Sequence, residues 1–176
     1  MKRKEIKAAE FRSDIFKLWK DQWMLLTSGD LSENKFNCMT VAWGSIGVMW
    51  NKPFVQVVVR PTRYTNEFME KYDTFTLSAF SDKNKADLSY LGSRSGRDED
   101  KLKKTSLTVI PSEKIPSPGY EEAELIIECR KIFASEFNPK EFMDASIIKN
   151  YPERDYHKVY FGEVLYISGT DKYTSK

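Results

Sequence analysis

Between Asn37 and Arg60 the chain reads NCMTVAWGSIGVMWNKPFVQVVVR, two apolar runs so close together that no helix fits between them. The first run alternates Met39, Val41 and Trp43 against Cys38, Thr40 and Ala42. The second sets Val55, Val57 and Val59 on one face, with Phe54, Gln56, Val58 and Arg60 on the other. Period-two patterns rich in β-branched residues are strands. Neighbouring parallel strands need a crossover of about a dozen residues or more, so strands this close pair antiparallel. GSIG is expected to supply a tight turn between them. QWMLLTSGD before them, ending in the turn signal Ser28-Gly29-Asp30, and the apolar stretches over 75–80, 107–111, 123–134 and 158–168 repeat the pattern. Seven or so strands at this spacing predict a mainly β, closed antiparallel sheet with short helices.

Four helical segments are expected. Phe11, Ile15, Leu18 and Trp19 recur at helical spacing over about 8–20, so a short amphipathic helix opens the chain. Others are expected from Asn66 to Tyr72, within KNKADLSYL, and near Asp98, where Asp98, Glu99 and Asp100 complement a helix start. At 176 residues the chain is expected to form one domain over 1–176, with the opening helix inside 1–20 and a tail at 170–176. A formal charge of +2 excludes a strongly basic nucleic-acid binder. The basic start lacks a signal-peptide apolar core, and no run reaches the roughly 18 apolar residues of a membrane span. A cytoplasmic protein bound to neither membrane nor nucleic acid is expected. Cys38 and Cys129 are far apart and outside any CxxC, which reads as two free thiols buried on strands.

Several chemistries lack their residues. No GxGxxG or GxxxxGK is present, so neither a Rossmann site nor a P-loop is expected. One histidine without HExxH leaves nothing for a typical catalytic zinc, and no GxSxG supports a hydrolase. What remains is two anion-seeking corners. In RPTRYTNEF, Pro61 stops the strand ending at Arg60, and Thr65 is placed to cap a helix from Asn66. Free N–H groups of that first turn, the hydroxyls of Thr62 and Thr65, and the guanidinium groups of Arg60 and Arg63 then converge as a phosphate site; the alternative is a solvated loop. In GSRSGRDEDK, Gly92 can end a helix, Gly96 permits close approach, and Ser93, Ser95, Arg97 and Lys101 are presented; the alternative is a plain turn.

NCMTVAWGSIGVMWNKPFVQVVVRPTRYTNEF, then GSRSGRDEDK, then DYHKVYFGEV, in that order over roughly 20–168, resemble the flavin reductase-like group of FMN-binding split barrels, which includes the flavoredoxins. The resemblance implies an antiparallel split β-barrel that homodimerises and holds FMN near the subunit interface. It implies that Thr40, Val41, Ala42 and Trp43 lie along the isoalloxazine ring, and that Arg60, Thr62, Arg63 and Thr65 take the phosphate and ribityl end. Ser95, Arg97, Asp98 and Lys101 match the family's SGRD-and-Lys element. His157 stands where similar proteins place a histidine near the flavin's reactive face, although a lone histidine at a strand start is more often structural or merely solvated. Gly162 permits either a bulge in the barrel or room for the cofactor. The implied activity is electron transfer from NADH or NADPH, docking transiently, through FMN to a flavin, a metal complex or a protein acceptor. The alternative is a non-catalytic FMN carrier or store.

Overall fold

In the computed structural model, which describes residues 2–174, a short strand β1 (Lys4–Glu5) opens the chain and one sheet dominates it. The expected helix over 8–20 is broken into a 3-10 turn at Ala8–Glu10, a three-residue α1 (Ile15–Lys17) and a π-helical turn at Leu18–Gln22. Phe11 bridges Thr174, and the Arg12 N–H donates to the Tyr173 carbonyl at 2.9 Å, so the backbone there is committed to the C-terminal segment. Leu18 and Trp19 still bury, while Phe16 stays 87% exposed.

Four strands follow: β2 (Met24–Asp30), β3 (Lys35–Val41), β4 (Gly44–Met49) and β5 (Lys52–Val59). Two expected turns move. Ser28-Gly29-Asp30 is strand, and the reversal falls on 31–34. GSIG is also strand, and the chain reverses at Trp50 and Asn51, whose φ of 51° and 58° form the left-handed pair that hairpin turns favour. Gly44 is needed in β4 because a side chain there would meet the Trp19 ring at 2.3 Å.

Next come α2 (Tyr64–Lys71), β6 (Thr74–Ala79) and α3 (Lys85–Ser93). The helix expected near Asp98 shrinks to a 3-10 turn at Lys101–Lys104. Of the strand expected over 107–111 only β7 (Val109–Ile110) forms, paired with β8 (Gly119–Tyr120) apart from the main sheet. Two twelve-residue strands, β9 (Leu125–Glu136) and β10 (Lys158–Gly169), complete it.

The sheet runs β3-β2-β6-β9-β10-β5-β4, with β1 added to β10, and every pairing is antiparallel. β3 and β4 lie at opposite ends of that order, yet only Ala42 and Trp43 separate them. Three peptide steps span at most about 11 Å, so the sheet has to curl until its two edges almost meet. No ladder joins β3 to β4 or to β5, so the two apolar runs expected to pair with each other do not, because the second hairpin forms within 44–59 instead, and the barrel is split at that seam. The expected split antiparallel barrel is therefore the fold.

Inside the barrel, Met24, Leu26, Val55, Val57, Val59, Phe75, Leu77, Leu125, Ile127 and Cys129 form the core. A second cluster outside it, with Leu25, Cys38, Leu88, Leu91 and Tyr120, seats α3 on the barrel wall. Both cysteines are buried and free, as the sequence implies. Of the two readings of Gly162, the geometry matches the bulge: register shifts between Phe161 and Gly162, and a side chain on Gly162 would meet the Phe75 ring at 2.5 Å inside the core.

Candidate functional site

The seam between β3 and β4 holds a pocket of about 180 Å³ lined by Met39, Thr40, Val41, Ala42, Trp43, Val58, Arg60, Arg63 and His157. Ala42 and Trp43 lie in neither flanking ladder, so the link that crosses the split is the stretch of wall whose backbone the sheet does not pair. The Trp43 ring is 49% exposed and sits 5.3 Å from the imidazole of His157. Thr40 donates its hydroxyl to the Leu88 carbonyl at 2.5 Å and packs against Gly92, fixing α3 behind the pocket.

The expected phosphate corner is only partly assembled. Arg60 donates twice to Asp155, at 2.7 and 2.8 Å, and once to the Asn150 carbonyl, while its guanidinium lies 5.1 Å from the centre of the Tyr151 ring. These hydrogen bonds hold the Asp155 carboxyl below the ordinary carboxylate range. Thr65 does not cap a helix; it is the second residue of α2, and its buried hydroxyl accepts from the Asn37 amide at 2.8 Å. Arg63 occupies the cap position instead. Its side chain lines the pocket, donates to the Gly92 carbonyl at 2.9 Å, and leaves α2 without a capping side chain. Thr62 is exposed, and its carbonyl accepts from Arg97 at 3.1 Å.

The second corner faces elsewhere. Gly92 lies within α3 rather than ending it, because the helix runs to Ser93 and extends at Arg94. Ser95 accepts from the Arg97 N–H, Arg97 pairs with Glu67 at 2.6 Å, and the exposed Asp98 donates its backbone N–H to the Ser95 carbonyl. Lys101 is buried and donates to the Leu91 and Arg94 carbonyls at 2.8 and 3.0 Å, closing the end of α3. Burial lowers its pKa. It borders, with Tyr64 and Gly96, a separate cavity of about 560 Å³ that contains none of Thr40, Val41, Ala42, Trp43 or His157. Thus Thr40, Val41, Ala42, Trp43, Arg60, Arg63 and His157 are brought together, and Thr62, Thr65, Ser95, Arg97, Asp98 and Lys101 are not.

His157 is 8% exposed at the start of β10. Burial, reinforced by the Arg60 and Arg63 charges, lowers its pKa to about 4, so it is neutral at physiological pH. Its Nδ1 contacts the Tyr151 hydroxyl at 2.9 Å. Nothing local in the sequence announces Tyr151 or Asp155, because Arg60, 95 positions before Asp155, organises them through space.

A barrel split at one seam is the fold of the FMN-binding split barrels. A model of the flavin reductase like domain matches residues 20–172, and the chain belongs to that family. It is similar to an FMN-binding domain of a flavin reductases-like enzyme from Shewanella baltica OS155, with a TM-score of 0.69 and 16% identity over 96% of this chain and 77% of that one. The flavoredoxin of Desulfovibrio vulgaris (Miyazaki F) superposes with a TM-score of 0.66 and 21% identity, covering 94% of this chain and 78% of its own. Among curated proteins, an uncharacterized protein of Archaeoglobus fulgidus is 24% identical over 79% of this chain and 68% of its own length. Among the described residues, no helix is long and apolar enough to cross a membrane.

Proposed function

We propose that this protein is an FMN-binding oxidoreductase of the flavin reductase type, taking electrons from NADH or NADPH and delivering them to a flavin, a metal complex or a protein acceptor in the cytoplasm. The observation that carries this reading is the seam pocket, where a half-exposed Trp43, an unladdered peptide link, a cation and a neutral imidazole meet.

That donor set fits a flavin. Trp43 offers a planar face for a ring system, the Ala42–Trp43 link offers backbone groups to a polar ring edge, and Arg63 with the uncapped start of α2 offers positive charge to a phosphate. Bound FMN would supply hydride acceptance from a nicotinamide and onward electron delivery. The chain's own residues orient that group: Thr40 anchors the wall to α3, Arg63 sets the anionic end, and His157 hydrogen-bonds without carrying charge. At about 180 Å³ the pocket is smaller than the roughly 300–1,000 Å³ usual for small-molecule sites, so one chain would cover only part of the cofactor.

A homodimer completes the reading. Val48, Trp50 and Phe133 are 71%, 57% and 43% exposed, and the rings of Trp50 in the β4–β5 turn, Phe54 on β5, Phe133 on β9 and Phe161 on β10 contact one another. An apolar aromatic face of this kind suits a second copy of the chain. Light scattering on the eluting protein is expected to give twice the monomer mass, and Phe133→Glu to give one.

The deciding experiment is an anaerobic titration of FMN-loaded protein with NADH and then NADPH. Flavin bands that bleach with either donor support the reductase and name that donor. Protein that stays colourless with FMN refutes flavin binding, and bands that persist with both donors replace the reductase by a carrier.

A further inference from the structure

His157 is held by a shell that determines which of its nitrogens carries the proton. Tyr151 is 4% exposed, caps the 3-10 helix Ala145–Asn150, and is fixed by the rings of Phe142 and Tyr156 at 5.9 and 5.1 Å. Its ring meets the imidazole edge-on, and its hydroxyl lies 2.9 Å from Nδ1. Burial raises the Tyr151 pKa, so the phenol keeps its proton. Among the described residues, Nδ1 is the sole hydrogen-bond partner of that hydroxyl. A buried phenolic proton without an acceptor costs about 1–3 kcal/mol, so the hydroxyl donates and Nδ1 accepts. A neutral imidazole that accepts at Nδ1 must carry its one proton on Nε2. Nε2 has no hydrogen-bond partner among the described residues, and the ring lines the seam pocket beside Trp43.

We propose that Tyr151 locks His157 in the neutral Nε2–H tautomer, so that the seam pocket presents a permanent hydrogen-bond donor to a carbonyl oxygen or unprotonated ring nitrogen of a planar heteroaromatic ligand. His157 is then neither a general acid nor a cation for phosphate. Among the described residues, Arg60, Arg63 and Asp155 are the charged groups that act on it, and Asp155 is taken by Arg60. Tyr151 is a positioning residue: it acts on the ligand through the imidazole. The lock rests on the Tyr151–His157 geometry alone, whereas the choice of FMN as the ligand rests on the reading in the preceding subsection.

The chain has one histidine, so protein labelled with ¹⁵N-histidine gives a single imidazole spin system. At pH 7 without added flavin, two-bond proton–nitrogen correlation is expected to show protonated Nε2 and unprotonated Nδ1. Tyr151→Phe is expected to populate the other tautomer. A wild-type Nδ1–H tautomer overturns the lock, and so does a Tyr151→Phe spectrum identical to wild type. FMN is the probe for the donor. His157→Gln, whose amide places an N–H near the Nε2 position, is expected to keep the wild-type affinity within a few-fold, while His157→Leu loses roughly 3- to 10-fold, the worth of one hydrogen bond. A His157→Leu affinity equal to wild type overturns the donor role. Wild-type protein that does not bind FMN overturns both the flavin reading and FMN as the acceptor, and leaves the lock to be judged by the tautomer spectrum.

Discussion

Replacing Gly162 by alanine separates the two uses the sequence allowed this glycine. Its added methyl would lie 2.5 and 2.7 Å from Phe75 ring carbons and 2.8 Å from the Cys129 Cβ, all inside the barrel. Phe75 and Cys129 are both fully buried, so neither has open space to move into. Inserting a methylene-sized group into a packed core costs about 1–3 kcal/mol. For a chain of 176 residues that is a fall in melting temperature of ~2–4 °C per kcal/mol. Urea unfolding followed by tryptophan fluorescence is expected to show a lower midpoint with an unchanged slope, since the surface exposed on unfolding hardly differs. Shortening the clashing ring should relieve the strain, so Gly162→Ala with Phe75→Leu is expected to cost at least about 1 kcal/mol less than the sum of the single changes. Strict additivity in that cycle, or a single variant as stable as wild type but weak in FMN binding, would refute the packing argument and return Gly162 to the cofactor.

Four further outcomes follow from the structure. The pKa of His157 falls from an ordinary 6.5 to about 4 on folding, so the unfolded chain takes the proton first; stability is whole above about pH 6.5 and is lost as pH falls toward 4. The loss attributable to His157 between pH 7 and 5 is about 2 kcal/mol, and urea midpoints at the two pH values should show it in wild type and not in His157→Gln. Lys101→Met leaves the Leu91 and Arg94 carbonyls without their donor and is expected to lower stability by about 1–3 kcal/mol while FMN affinity holds within a few-fold; a large affinity loss at unchanged stability would assign Lys101 to the ligand instead. Arg63→Ala is expected to weaken FMN roughly tenfold, with the affinity less salt-dependent than in wild type, whereas Thr65→Val should act on stability through Asn37 and spare binding.

Much of this molecule is legible along the chain because strand formation is a local matter. The alternation at Val55, Val57 and Val59 needs only the two-residue period of the backbone to declare one buried face, and TVAW with its neighbours carries the family likeness unaided. Turns depend on more than local chemistry. Ser28-Gly29-Asp30 and GSIG have turn chemistry but lie in ladders, because the pairing partners of β2 and β4 reach across them. The helix over 8–20 has the right spacing and still breaks, since its backbone is claimed by Tyr173 and Thr174 more than 160 positions away.

The sequence by itself determined that strands dominate the chain and that their pairing is antiparallel, it set Thr40, Val41, Ala42 and Trp43 in one short stretch, and it contains neither a P-loop motif nor HExxH. Tertiary structure alone decided where the barrel opens and which charges are free. The split arises because two residues join opposite edges of a seven-strand path, a constraint invisible until the strand order is known. Arg60 and Lys101 look alike on the page as phosphate ligands, yet Asp155 takes one and the carbonyls ending α3 take the other. A cation binds whichever acceptor the fold brings nearest, and the partner's distance along the chain places no limit on that choice.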